Sequence, residues 1–271
     1  VRRTLSGVVM HWPAHGTTVR LAAKHADQIR KGFKRAFDAN EIVATFFAAH
    51  LGHGEVTTQE ARSWANIHVV ADKTALIASL TPLYADGWVL GEVAGKYMLE
   101  EIKKAVSAGV IDWDTWKPGN AAASALIKPS GGLQKLLDQR AITIQGVTKT
   151  KLDRIGTVLG NALESGITPS DVAIMVDQVI DDPQQALAIS QTEMSRAVSV
   201  ASRNVYETSG VEQVEWLVAE GCEDCQENAE ASPIGINEVF PSGDTEPPAH
   251  PNCMCSIAPY MSDAPTDQTE E

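Results

Sequence analysis

The tightest constraint on this chain lies in its last quarter, where Cys222-Glu-Asp-Cys225 is followed, after 27 intervening residues, by Cys253-Met-Cys255, with His250-Pro-Asn-Cys253 overlapping. Five soft donors gather in one loop-rich segment. A Cys-x-x-Cys turn sets two thiolates on one side of a tight loop, and tetrahedral zinc needs four such groups. Cys222 and Cys225 therefore supply half a site, and two of His250, Cys253 and Cys255 complete it. Cys253 and Cys255 lie two apart, so on an extended strand they share a face yet sit farther apart than two ligands of one ion prefer. That favours His250 with one of them. Two other readings stand beside a metal: reduced thiols packed as small apolar groups, or a disulfide pinning the first turn to the following strand. A structural ion is expected over a catalytic one, because no His-Glu motif nearby presents a general base beside an open coordination position. Glu223 and Asp224 should raise the pKa of the adjoining thiols, which argues against a free nucleophilic cysteine.

Four cysteines in 271 residues cannot be a disulfide scaffold, and a reducing compartment would leave them as thiols or ligands. The 22 Lys+Arg against 35 Asp+Glu give a formal charge of −13, which excludes a generically basic nucleic-acid binder. The charge is also uneven. Arg2, Arg3, Arg20, Lys24, Arg30, Lys31, Lys34 and Arg35 make the opening arm basic, whereas no lysine or arginine occurs from Asn204 to Glu271. An acidic lobe repels phosphate, so contact with nucleic acid is expected from the amino-terminal arm. The bland alternative is that both ends merely keep the surface solvated. No apolar run approaches membrane-spanning length, and Val8-Val9-Met10 is too brief for a signal-peptide core, so the expectation is a soluble, non-exported chain.

Apolar residues recur at three- and four-residue intervals from about 17 to 110, which predicts several helices, with His50, Gly52, His53 and Gly54 marking one helix end. Pro82 and Gly87 should kink or divide the segment from Asp72 to Ala108. Trp113 and Trp116 read as anchors in a connecting turn, and Ser130-Gly131-Gly132 places a boundary. Beyond it, Thr168-Pro169-Ser170-Asp171 is an N-cap signal for a helix to about Ile180. Asp182-Pro183 opens another that runs to Thr208 before Gly210. Val214, Trp216 and Val218 alternate as in a half-buried strand, and Cys253 to Tyr260 offers a second. These elements predict an α+β protein: a helical region over 1–132, a small cysteine-rich α+β module over 133–261, and an acidic tail over 262–271.

Within the second long helix, Ile189, Glu193, Ala197 and Val200 fall on one stripe, so Glu193 shares an apolar face and needs a partner. Hydrogen bonds, Arg196 or Arg203 would hold it structurally; the functional alternative is an acid or metal-facing group. His50 and His53 are a weaker metal pair. The sequence has no phosphate-binding glycine loop, Gly-x-Ser-x-Gly elbow or HExxH motif, so no catalytic machinery is advertised.

Over roughly residues 135–260 the chain resembles the phage Mu protein F-like family of minor head, or head-morphogenesis, proteins. The likeness rests on an ordered series: Ile144-Gln-Gly-Val147-Thr-Lys-Thr150, Ile189-Ser-Gln-Thr192-Glu193 with Arg196-Ala197, Gly210-Val211 leading to Trp216, Cys222-x-x-Cys225, and Pro247-Pro248-Ala-His250-Pro251-Asn252-Cys253-Met-Cys255. The matching motif residues are Thr192, Glu193, Cys222, Cys225, His250, Cys253 and Cys255. The chain departs from the family at Met254, where members often carry arginine, and at Gln226 to Ser232, where they often have a glycine-containing turn. The resemblance implies a virion protein of few copies in a tailed-phage head, located inside the capsid near the portal and in the host cytoplasm during assembly. Its implied partners are the portal protein, the major capsid or scaffolding protein, and packaged DNA through the basic arm, with no membrane. The alternatives are a metal-dependent hydrolase or transferase using Glu193, and a zinc-stabilised nucleic-acid-binding protein.

Overall fold

A computed structural model describes residues 2–3, 9–10, 12–50, 56–102, 112–219 and 222–260. Among them the protein is mostly helical, with a small antiparallel sheet close to the cysteines, so the α+β expectation holds. The chain divides into two compact units, each discontinuous in sequence: residues 1–25, 82–137 and 187–271 form one, and 26–81 and 138–186 the other.

The second unit draws on helices α1 (His15–Ala36), α2 (Ala39–His50), α3 (Thr58–His68), α4 (Lys73–Ile102), α6 (Gly131–Glu164) and α7 (Pro169–Ile180). Its helix starts carry the expected chemistry. Thr57 and Glu60 form a reciprocal capping box at α3, and Thr168 accepts the Asp171 N–H ahead of Pro169 at α7. Gly156 of α6 lets α3 approach closely, since a Cβ there would lie 2.4 Å from Arg62 Cα. The Lys151 side chain is fully buried. Its Nζ donates to the Val179 and Ile180 carbonyls at the end of α7 and sits 4.7 Å from the Phe33 ring centre.

In the first unit, α4 and α8 (Pro183–Thr208) pack along a stripe of small residues, where Gly87, Gly91 and Gly95 face Ala197, Val198, Ala201 and Ser202. The Ser202 hydroxyl donates to the Gly91 carbonyl at 3.0 Å. Helix α5 (Ala121–Ile127) lies in this unit, as does a hairpin pairing β1 (Arg2–Arg3) with β2 (Val9–Met10). After α8 the chain turns at Gly210, whose φ of +76° favours glycine, and enters β3 (Gln213–Leu217). Strand β3 is central: β4 (Ile234–Gly235) and β5 (Ser256–Tyr260) pair on either side, with Trp216 opposite Ile257 and Leu217 opposite Ser256. Helix α9 (Glu223–Glu230) packs on β3. One core joins Met98 and Leu99 of α4, Tyr206 of α8, Trp216, Phe240, Ile257 and the sulfurs of Cys225, Cys253 and Cys255.

The structure departs from sequence expectation in several places. Residues Lys73 to Ile102 form one helix that is not divided at Pro82. In the turn before the proline, the Ser79 and Thr81 hydroxyls donate to the Leu76 and Ile77 carbonyls at 2.7 and 2.8 Å. Strand β3 is buried on both faces rather than one, because Glu215 is covered as fully as Trp216. Gly131 and Gly132 stand in the first turn of α6, capped by Ser130, where Gly132 admits the Trp88 ring. His50 does end α2, whereas Gly52, His53 and Gly54, and the tail 262–271, lie outside the described residues. Among the described residues no helix is long and apolar enough to cross a membrane.

Candidate metal centre

The Cys-x-x-Cys segment is a helix start, not a free turn. Cys222 is the N-cap of α9, and its Sγ accepts the Cys225 N–H at 3.3 Å, the part a serine or aspartate usually plays. Three residues on, Cys225 points inward and is fully buried. The acidic pair between them occupies the first turn, where carboxylates oppose the positive end of the helix dipole.

The opposite side of the cluster is a tight turn. The Cys253 N–H closes onto the His250 carbonyl at 3.1 Å, with Pro251 second and Asn252 third at φ 62°, the arrangement of a type II turn. The turn is tied to α8, for the Asn252 N–H donates to Thr192 Oγ1 at 3.0 Å while that hydroxyl donates to the Ala188 carbonyl at 2.8 Å. Chain geometry thus carries His250 and Cys253 to the start of α9, and Cys255 follows immediately before β5.

All five predicted donors meet in a geometry that could hold a metal ion. Cys222, Cys225 and His250 lie within 4.8 Å of one another, as do Cys225, Cys253 and Cys255, so Cys225 is common to both groups. His250 Nε2 is 3.0 Å from Cys222 Sγ and 3.5 Å from Cys225 Sγ, and Cys225 Sγ is 3.7 Å from Cys253 Sγ. His250 Nδ1 donates to the Pro251 carbonyl at 2.9 Å, which leaves the Nε2 lone pair directed at the sulfurs. All four cysteines are free thiols rather than a disulfide. Sulfur and imidazole together are the donor set of a borderline-soft ion, and the cluster is shielded, with Cys222 and His250 at its half-buried edge.

Electrostatics alternate through the cluster. Burial pushes the Cys225 thiol up, and the hydrogen bond to Cys253 together with burial pushes Cys255 up. Cys253 moves far down, chiefly because the Cys255 thiol and nearby backbone N–H groups donate to it, against the opposing effect of burial. Cys222 was expected to be raised by Glu223 and Asp224, but it is lowered. Partial burial opposes its ionisation, yet the Cys225 N–H, the Cys225 thiol and His250 outweigh that, while both acidic side chains are exposed to screening solvent. His250 is raised by its bond to the Pro251 carbonyl and by the charge of Cys253 and Cys222, against partial burial.

Glu193 is 4% exposed on α8 and accepts a 2.6 Å hydrogen bond from Tyr84 Oη, with Arg196 Nε at 3.5 Å. The structural reading of this carboxylate therefore fits. Arg203 is used elsewhere, joining Glu246 at 2.7 Å, Glu207 at 3.2 Å and the Ile236 carbonyl. No sequence signal pointed to Tyr84, which is remote along the chain. In contrast, Pro251-Asn252 is a legible turn signal.

Much of the basic arm is engaged within the protein. Lys24 pairs with Asp86 at 3.0 Å, Arg30 and Lys31 with Asp27, and Lys34 with Asp177 and Asp181. No known protein family, characterised protein or solved structure matches the chain.

Proposed function

We propose that this chain is a minor head-morphogenesis protein of a tailed phage, similar to the Mu protein F-like family, acting in capsid assembly or DNA passage at the portal rather than in catalysis. One observation carries the reading: the motif residues scattered from Thr192 to Cys255 converge, the five donors on one cluster and Thr192 on the turn that presents His250 and Cys253. A sequence series whose members meet in space behaves as one device. The engagement of Glu193 by Tyr84 and Arg196 supports a structural carboxylate rather than an acid facing a substrate.

In this reading the cluster holds structural zinc, drawn from Cys222, Cys225, His250, Cys253 and Cys255. Bound zinc supplies cross-linking between α9 and the turn before β5. The chain's own residues do the rest: Thr192 anchors the turn to α8, and Arg203 ties α8 to Glu246 and Ile236. The resulting lobe is a rigid knob offered to the portal or to the capsid or scaffolding shell. Packaged DNA falls to the basic arm, where exposed ion pairs such as Lys31–Asp27 are weak enough to exchange for phosphate.

Fractionation of an infected lysate tests the assignment. The chain should sediment with portal-containing particles, located inside the capsid, and Glu193→Gln should leave particle yield intact. Recovery solely in the particle-free soluble fraction refutes a virion role.

A further inference from the structure

Five donors are one more than a tetrahedral ion takes, so one must stand aside. At ordinary zinc–sulfur and zinc–nitrogen lengths the edges of a tetrahedron are about 3.8 Å between two sulfurs and about 3.6 Å between sulfur and nitrogen. Cys225 Sγ lies 3.7 Å from Cys253 Sγ and 3.5 Å from His250 Nε2, so two such edges already radiate from Cys225. The 3.0 Å separation of Cys222 Sγ and His250 Nε2 is that of a hydrogen bond. An ion replacing the shared proton would open it by roughly half an ångström.

The backbone separates Cys253 from Cys255. Cys253 lies within 4.8 Å of Cys225 and Cys255 rather than in the group of Cys222 and His250, but His250 and Cys253 are the first and last residues of one turn, closed at 3.1 Å, so a shift of that single turn brings both to Cys222 and Cys225. Cys255 adjoins Ser256, which is locked in register opposite Leu217. Moving it toward Cys222 would disturb the β3–β5 ladder.

Charge favours the same set. Four thiolates around a divalent ion leave a net charge of −2, whereas three thiolates and neutral imidazole leave −1. No lysine or arginine occurs from Asn204 to Glu271 to balance the difference, and buried net charge is costly.

We propose that a single zinc ion is held by Cys222, Cys225, His250 and Cys253, and that Cys255 remains a neutral thiol packed behind Cys253. The inference rests on the zinc reading above and is independent of the virion assignment. Its test uses the full reduced chain, by zinc-edge X-ray absorption of the wild type and by Co2+ titration of variants. The expected first shell is three sulfurs and one nitrogen. Cys255→Ala should keep one equivalent of Co2+, the wild-type visible spectrum and an affinity within about threefold, while Cys253→Ala and His250→Ala each weaken binding by at least about 100-fold. A shell of four sulfurs, or loss of the cobalt–thiolate bands in Cys255→Ala with their retention in Cys253→Ala, overturns this ligand set while leaving zinc in place. Wild-type protein that takes up neither metal under reducing conditions overturns the zinc reading and this ligand set with it. The absorption edge is read on the wild type, so misfolding of a variant cannot hide the answer.

Discussion

Replacing Gly91 by alanine asks how closely α4 and α8 must pack to hold the metal-bearing unit together. An added Cβ would lie 2.3 Å from the Val198 carbonyl oxygen, 2.7 Å from Ala201 Cβ and 3.0 Å from the Val198 carbonyl carbon. Two of these are backbone atoms that no rotamer change can move. Ordinary contact begins near about 3.4 Å, so the helices must part by roughly 1 Å, loosening neighbouring contacts along the stripe and stretching the Ser202–Gly91 hydrogen bond. Overpacking of this kind costs about 3 kcal/mol, and the better helix propensity of alanine returns about 1 kcal/mol, leaving a net loss of about 2 kcal/mol. At about 2–4 °C per kcal/mol for a chain of this size, the melting temperature should fall by about 4–8 °C. The control is Gly146→Ala in α6, where nothing lies within 4 Å of the added Cβ. There the same substitution should stabilise by about 0.5–1 kcal/mol. Circular dichroism during thermal and urea unfolding reads both variants. Stabilisation of Gly91→Ala to the same degree as Gly146→Ala would refute the close-packing argument, since a rigid 2.3 Å clash cannot coexist with a gain.

Two further perturbations probe the buried Lys151 and the partly buried Thr192. Burial brings the Lys151 pKa down to about 8, against the pull of Asp182 and Asp181 and with a push from Arg154. Between that value and the ordinary lysine range the unfolded chain holds more protons, so stability contributed by this group rises with pH from about 8 to about 10.5 and is lost as pH falls through 8. Urea unfolding from pH 7 to 10 should show wild type gaining roughly 2–3 kcal/mol over Lys151→Met across that window; parallel curves would dismiss the effect. Thr192→Val removes the acceptor of the Asn252 N–H while keeping the side-chain shape, and should cost about 1 kcal/mol. Faster hydrogen exchange at Asn252, restored by Thr192→Ser, is the expected signature, and unchanged protection would show the turn is held by other means.

Local chemistry was legible in the residues themselves. Thr168-Pro169-Ser170-Asp171 announced α7, Asp182-Pro183 announced α8, and Gly210 ended it, because capping and φ preferences act over three or four neighbours. The donors of the cluster were equally plain, since thiolate and imidazole chemistry belongs to residue type. Helix α9 and strand β4 escaped notice because each is short, and α9 begins on a cysteine acting as a cap. Strand β3 looked one-sided because alternation along a strand cannot reveal what covers its other face.

Residue type and local spacing determined which groups can bind a metal and where helices begin. Tertiary structure alone decided that Cys225 stands between two donor groups, that Tyr84 rather than Arg203 serves Glu193, and that Thr192 grips the turn bearing His250. Each of those contacts joins residues distant in sequence, and their distances are set by how α4, α8 and the β-sheet pack, which no local preference encodes.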